Sequence, residues 1–328
     1  MVTENLQTVF LNQIRQSLPK RISLVNELAD ALDLSRDSAY RRIRGETVLS
    51  LEEVAKLSLR HNISLDQLMS RSSDVISFTR QTDIVKTPLV DWLEGLGANL
   101  DMMQAFPQKE IIFSAKDIPT PYFFKFPGLA AFKMFFWMKS YQRDARLKDV
   151  RFEPELIPAS YLDAGTKLWQ KYAELPSTEI YSEETFNVTI RQIEFYHANG
   201  FITLAEASSL FETYRAFIND LRLSAAAGKK RDGNGDLVVY SNDFLITDTT
   251  FLFNLGNKRI AFITYNTMNV LSCVQESFCR ETEEFLRNII NKSTLISNTG
   301  ERERNRFFNA VDAKIRQRMS ALQDAQPL

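Results

Sequence analysis

The first 70 residues carry short apolar repeats at helical spacing and few aromatic side chains. Leu6, Val9, Phe10 and Ile14 form one such stripe, which predicts a helix over 4–17. Serines in N-cap positions predict the starts of the helices that follow. These helices are predicted over 24–32, 36–44, 51–62 and 65–69, after Ser23, Ser35, Ser50 and Ser64. We therefore expect an all-α domain of five helices over residues 1–70.

The pattern changes after residue 70, where most of the 24 phenylalanines and all three tryptophans lie. Residues 69–88 begin as a polar stretch without a strong period, which favours a boundary. We interpret 71–87 as a linker and 88–328 as a second, larger domain. Its predicted helices cover 88–106, 127–143, 159–174, 183–198, 203–226, 275–292 and 300–320.

Strand signals in the second domain fall mainly in its last third. β-Branched and aromatic runs predict strands over 109–115, 237–241, 243–255 and 258–266. The last three follow one another with short turns between them, which favours an antiparallel meander. The expected fold class is therefore multidomain: an all-α domain followed by an α+β domain with an antiparallel sheet.

Composition narrows the class of protein without identifying a function. The 328 residues contain 40 basic and 41 acidic side chains, a net charge of -1, so any signal for nucleic acid must be local. Two cysteines make no disulfide framework and favour a reducing, cytoplasmic compartment. The start of the chain has no secretion-signal pattern. The longest apolar stretch, 121–138, is interrupted by Lys125, Pro127 and Lys133, which argues against membrane insertion.

A local positive charge lies on the predicted third helix. Four arginines occur within nine residues, at positions 36, 41, 42 and 44. A three-residue turn, 33–35, separates this helix from the one before, which is the arrangement of a helix-turn-helix. Burial of Ala39 and Ile43 would leave an outward face that consists of Arg36, Asp37, Tyr40, Arg41 and Arg44.

That outward face suits the major groove of DNA. Arginine can donate two hydrogen bonds to guanine, and aspartate can accept one from cytosine. Hydroxyl and guanidinium groups can also hold phosphates, which fixes register without reading sequence. The predicted phosphate contacts are Ser35, Ser38, Tyr40 and Arg44. Arg42 lies towards the buried side, and we expect it to pair with Glu27 or Glu46 instead. A solvated basic helix without DNA binding is the alternative.

The sequence LADALDLSRDSAYRRIRGE, residues 28–46, resembles the helix-turn-helix of the lambda-repressor-like (Cro-type, XRE) family. The following TVLSLEEVAKLSLRHNISLDQLM resembles the fourth and fifth helices of that family, so the resemblance covers residues 20–69. It implies that Arg36, Asp37 and Arg41 read bases. Asp33 departs from the family, which commonly has glycine in the turn, but aspartate tolerates a left-handed backbone better than most residues.

The second domain carries no recognisable catalytic or metal-binding motif. The two histidines of the whole chain, His61 in the first domain and His197 in the second, lack partners at metal-ligand spacing, and no nucleophilic triad can be assembled. Residues 232–243 resemble half of a calcium loop, but Leu237 stands where the required glycine would be, so a surface hairpin is the better interpretation. Cys273 and Cys279 fit small buried side chains. We expect no cofactor, no metal and no enzymatic activity.

The aromatic segment within 121–138 fits a buried core. Its alternative is a ligand pocket or dimer face formed by Phe132, Phe135, Phe136 and Trp137. Together these features predict a sequence-specific transcription regulator that binds double-stranded DNA as a homodimer, with a small-molecule effector as a further candidate partner. The alternatives are an enzyme with an appended DNA-binding domain and a protein-interaction module that does not bind DNA.

Overall fold

The computed structural model describes residues 5–18, 22–61, 63, 65, 75–81, 83–114, 116–243, 248–266 and 268–324. The chain divides into two compact units, Met1–Ser77 and Phe78–Leu328. Residues 79–87 therefore belong to the second unit, although the sequence predicts them as linker. The reason is that Thr79 and Arg80 pair with a sheet strand that lies almost 200 positions later in the chain. Ile84 is also buried.

The N-terminal unit is built from short capped helices. They are α1 (Leu6–Ser17), α2 (Leu24–Leu32), α3 (Arg36–Ile43) and α4 (Leu51–His61). Side chains of Asn5, Ser23 and Ser35 cap the first three, and Ser50 and Glu53 exchange both hydrogen bonds of a capping box at the fourth. The helix predicted over 65–69 lies outside the described residues except for Leu65.

The second unit contains longer helices. They are α5 (Leu89–Gln104), α6 (Pro127–Phe136), α7 (Ala159–Ala173), α8 (Asn187–Ala198), α9 (Leu204–Ala227), α10 (Glu276–Asn291) and α11 (Glu301–Asp324). A 3₁₀ turn at Thr120–Lys125 precedes α6, and a π-helical turn at Trp137–Tyr141 follows it. Within the described ranges, no helix is long and apolar enough to cross a membrane.

Eight strands of the described chain form one sheet in the second unit. They are β1 (Thr79–Arg80), β2 (Glu110–Ser114), β3 (Ser177–Tyr181), β4 (Leu237–Ser241), β5 (Thr250–Asn254), β6 (Arg259–Tyr265), β7 (Asn269–Cys273) and β8 (Thr294–Leu295). Their spatial order is β1-β7-β6-β5-β2-β3-β4-β8.

The sheet is mixed, so the predicted all-antiparallel sheet is wrong. β5, β6 and β7 do form an antiparallel meander, but β2, β3 and β4 are parallel neighbours. Helices α6 and α7 connect β2 to β3, and α8 and α9 connect β3 to β4; such crossovers are what parallel pairs require. β3 is buried along its whole length although Ser177, Thr178 and Glu179 are polar, so it shows neither an apolar run nor a polar alternation by which a strand is recognised.

The two faces of the sheet are covered differently. Alternate residues of β2 and β5 such as Ile111 and Phe253 face the main core with α5, α6 and α7. Ile112 and Leu252 point the opposite way and form a smaller cluster with Leu286 of α10. The main core is thus a layer between helices and sheet.

Candidate functional site

The turn between α2 and α3 is set by Asp33 and Ser35. Asp33 adopts the left-handed backbone, with φ of 54°, and its N–H donates to the carbonyl of Ala29. The Ser35 hydroxyl accepts the N–H of Ser38 at 3.2 Å and so begins α3. A residue without a β-branch tolerates this φ, and aspartate does so better than most. A three-residue turn, 33–35, therefore separates α2 from α3, as the sequence predicts.

Burial of α3 follows its apolar positions. Ala39 is fully buried and Ile43 packs at the margin of the same cluster, which includes Leu28 and Leu32 of α2. The small side chain of Ala39 allows close approach of the two helices. One face of α3 is thereby fixed against α2, and the opposite face is left in solvent.

The predicted base-reading residues Arg36, Asp37 and Arg41 are all exposed, as are Tyr40 and Arg44. Arg41 and Arg44 lie 3.9 and 3.2 Å from Glu46, with more than half of each side chain exposed. These surface pairs are weak and leave the guanidinium groups able to change partner.

The predicted phosphate contacts Ser35 and Ser38 are engaged locally. The hydroxyl of Ser35 donates to that of Ser38 at 3.0 Å and accepts the capping N–H of Ser38 at 3.2 Å. Both residues lie at the start of α3, where backbone N–H groups also favour an anion. The first turn of α3 therefore presents a polar, anion-compatible end next to the exposed arginines.

Arg42 is structural, but its predicted partners are wrong. Its guanidinium donates to Glu53 of α4 at 2.7 and 3.1 Å and to the carbonyl of Ser38 at 3.3 Å. Burial disfavours the Glu53 carboxylate, but hydrogen bonds from Arg42 and from the Ser50 N–H outweigh that effect and lower its pKa. Glu27 instead contacts Arg60 at 2.7 Å.

Gln7 of α1 fixes the segment after α3, and sequence reasoning missed it. Its Nε2 donates to the carbonyls of Arg42 and Thr47 at 2.8 and 2.9 Å, and its Oε1 accepts the N–H of Leu49 at 2.9 Å. One amide therefore binds three backbone groups, of which the Arg42 carbonyl also accepts the Gly45 N–H at 3.1 Å. The only sequence signal is a glutamine next to the apolar stripe of α1.

The aromatic residues predicted as a pocket or dimer face lie in the core. Phe132 and Phe135 have no exposed surface, and Phe136 is nearly buried. All three rings pack against the ring of Tyr196, with centroids 5.2–5.9 Å apart. Because these three rings are buried within the second unit, they leave no surface for a dimer face. Trp137 alone among the four lines a cavity.

That cavity has a volume of about 440 Å³ and lies between the main face of the sheet and α5. β2, β5 and β6 contribute alternate side chains, and α5 contributes residues three and four apart. These wall residues are Ile111, Phe113, Phe251, Phe253, Phe262, Thr264, Trp92, Gly95, Leu96, Asn99 and Leu100. The cavity is therefore a direct product of strand and helix periodicity.

A polar group borders the cavity. Lys133 of α6 is fully buried, and its Nζ lies 2.8 Å from Gln192 Oε1 and 3.5 Å from Asp117 Oδ2. Burial lowers the pKa of Lys133, although Asp117 acts in the opposite direction. Asp117 and Gln192 themselves line the cavity. The Nε1–H of Trp92 has no hydrogen-bond partner among the described residues.

A second buried polar cluster centres on Glu179 of β3. Its carboxylate accepts hydroxyl groups from Tyr122, Tyr172, Tyr181 and Ser177. Burial, followed by the charge of Glu179, raises the pKa of each of the three tyrosines well above its usual value, so they stay protonated donors. This arrangement satisfies a buried carboxylate with neutral donors, which stabilises the fold.

The remaining candidates do not converge on one place. Cys273 and Cys279 are buried, and the Cys279 thiol donates to the carbonyl of Cys273. In the calcium-like loop, Asp232 contacts Lys125 at 2.8 Å and Asn234 donates to Glu174. No three acidic, histidine or cysteine side chains within the described ranges are grouped to hold a metal ion.

Comparisons with protein-family models, with curated proteins and with solved structures gave no match.

Proposed function

We propose that this protein is a sequence-specific DNA-binding transcription regulator that inserts α3 into the major groove. The observation that carries the proposal is that the arginines of α3 have two different environments. Arg42 is held by Glu53, whereas Arg36, Arg41 and Arg44 are exposed to solvent. A positive charge concentrated on one face of a helix that follows a tight turn suits readout of base edges.

Each exposed side chain has a chemical role in the proposal. Arg36 and Arg41 donate to guanine O6 and N7, and Asp37 accepts from cytosine N4. Tyr40, Arg44 and the capped start of α3 at Ser35 and Ser38 hold phosphates. The Arg41–Glu46 and Arg44–Glu46 pairs exchange for contacts to DNA, which carries far more negative charge than one carboxylate.

The proposal includes a homodimer, because one unit of this size makes few phosphate contacts. Non-specific affinity is weak at physiological salt, on the order of 10⁻⁴ to 10⁻⁶ M. Two copies that bind half-sites about one helical turn apart would read enough base pairs for specificity. The regulator proposal thus predicts a symmetric DNA site.

A salt titration on random duplex DNA tests the proposal against the alternatives. The full-length protein should bind a labelled random duplex at low salt, measured by fluorescence anisotropy, and affinity should fall steeply as salt rises. The double variant Arg41→Ala/Arg44→Ala should weaken binding at every salt concentration and flatten the slope. Arg15→Ala, which removes an exposed charge from α1, is the matched control.

The protein-interaction alternative gives a different result in that assay, whereas the enzyme alternative needs a second assay. Absence of binding at low salt contradicts the proposal and favours a protein-interaction module. Binding that Arg15→Ala weakens as much as the double variant would mean that α3 has no special part. An enzyme with a DNA-binding domain would bind DNA in the same way, and turnover of a small molecule by the second unit would reveal it.

A further inference from the structure

The cavity in the second unit has an exposed rim and a buried floor that is rich in aromatic side chains. Gln81, Gly95, Lys116, Asp248 and Asn266 line its rim and are exposed. Its floor is made of buried side chains, among them Trp92, Phe123, Trp137, Leu168 and Tyr172. Ligand sites have this shape and lining, and the volume of about 440 Å³ falls within their usual range of about 300–1,000 Å³.

One polar atom in the floor lacks a partner. The indole of Trp92 is 3% exposed, and no described residue accepts its Nε1–H. Its ring stacks edge-on against Trp137, at 5.8 Å between centroids, so its position is fixed by packing. A buried donor without an acceptor is costly, and a ligand that carries an acceptor removes that cost.

The charges around the cavity cancel. Among the described residues, the charged side chains in its wall are Lys116, Asp117 and Asp248. Lys133, which lies directly behind Asp117, adds one positive charge, so the four sum to zero. Lys133 already pairs with Asp117 and donates a hydrogen bond to Gln192 Oε1. No unbalanced charge therefore remains to attract an ionic ligand.

We propose that this cavity binds an uncharged, largely apolar, ring-containing small molecule whose carbonyl accepts the Trp92 Nε1–H. The phenylalanines of the sheet face its rings, and the Asp117–Gln192 side meets a further polar substituent. Binding at this site does not depend on the reading of DNA by α3, so it is a property separate from the proposed function.

Nile red is a suitable probe because it is uncharged, polycyclic and carries a ring carbonyl. Its fluorescence rises in apolar surroundings, so titration into the full-length protein should give a saturable increase. In a Trp169→Phe background the remaining tryptophans, Trp92 and Trp137, both line the cavity. Energy transfer from them to bound Nile red therefore reports binding in the second unit, and variants of the cavity wall locate the site.

Two variants test the site against matched controls. Gly95→Leu fills the rim, where an added Cβ meets nothing within 4 Å, and should weaken binding at least 10-fold. Ala98→Leu, on the exposed side of the same helix, should leave affinity unchanged. Trp92→Phe removes the donor and should weaken binding about 3- to 10-fold, which is the value of one hydrogen bond. Trp169→Phe should have no effect.

The affinities of these variants decide whether the cavity is the binding site. Loss of affinity in Gly95→Leu and Trp92→Phe, with both controls unchanged, supports the site. Non-saturable fluorescence, or equal affinity in Gly95→Leu and Ala98→Leu, overturns it. The same preparations are titrated with random duplex DNA, so that failure of small-molecule binding with intact DNA binding refutes only this inference.

Discussion

Replacing Arg42 with alanine should destabilise the N-terminal unit by about 2 kcal/mol without altering the exposed face of α3. The side chains of Arg42 and Glu53 are only 15% and 19% exposed, and two hydrogen bonds join them. The substitution removes both bonds and leaves the Glu53 carboxylate half-buried with only the Ser50 N–H as a donor. α3 and α4 then lose their main polar link.

The magnitude lies between two limits. Exposed ion pairs contribute about 0–1 kcal/mol, whereas removal of one partner from a fully buried pair costs about 3–5 kcal/mol. The partial exposure of Arg42 and Glu53 places the pair between these values, and about 2 kcal/mol is our expectation. A free-energy change of this size increases local opening about 30-fold, since about 1.4 kcal/mol corresponds to a factor of ten.

Amide hydrogen exchange of the full-length protein provides the assay. Peptides that cover α3 and α4 should exchange about 30-fold faster in Arg42→Ala than in wild type, provided that exchange follows local opening. Arg41→Ala is the control, because Arg41 is mostly exposed and lies 3.9 Å from Glu46. Equal protection in Arg42→Ala and Arg41→Ala would refute the structural role of Arg42.

Three predictions concern the second unit, which contains all three tryptophans, so that urea unfolding followed by their fluorescence reports on it. Glu179→Gln should lower the free energy of unfolding by about 3 kcal/mol, because an amide N–H2 then faces hydroxyl donors. The exposed Glu174→Gln should leave that free energy almost unchanged. Burial lowers the pKa of Lys230 to about 8, so the unfolded chain binds more protons above that pH. Wild-type stability should therefore rise relative to Lys230→Met between pH 8 and 10; an unchanged difference would contradict this. Gly165→Ala should cost at least about 1–3 kcal/mol, because its Cβ would lie 1.9 Å from the Phe124 ring; an unaltered urea midpoint would exclude that contact.

The elements that the sequence predicts well are those with strong local signals. α2 and α3 begin after Ser23 and Ser35 as expected, because a capping side chain and a 3.6-residue period both act within one turn. Asp33 likewise determines the turn through its own backbone preference. Such interactions lie within a few residues along the chain and can be recognised there.

The features that the sequence misses depend on distant partners. β3 pairs with parallel neighbours that arrive through long helical crossovers, and it buries Ser177, Thr178 and Glu179, so neither an apolar run nor an alternation marks it. The partner of Arg42 is chosen by how α4 packs, which allows Glu53 rather than Glu27 or Glu46. The cavity combines residues from Gln81 to Val270, and the periodicity of any one element cannot reveal it.

Selection of bound sites from random DNA by the full-length protein tests the central proposal most directly. We predict an enriched symmetric motif with half-sites about 10 base pairs apart, as expected for a dimer with one α3 in each major groove. Arg41→Ala should fold normally and lose preference at one position in each half-site, at a cost of about 1–3 kcal/mol for the preferred sequence. Recovery of no motif by wild type, or of the same motif at the same affinity by Arg41→Ala, would contradict the reading of DNA by α3.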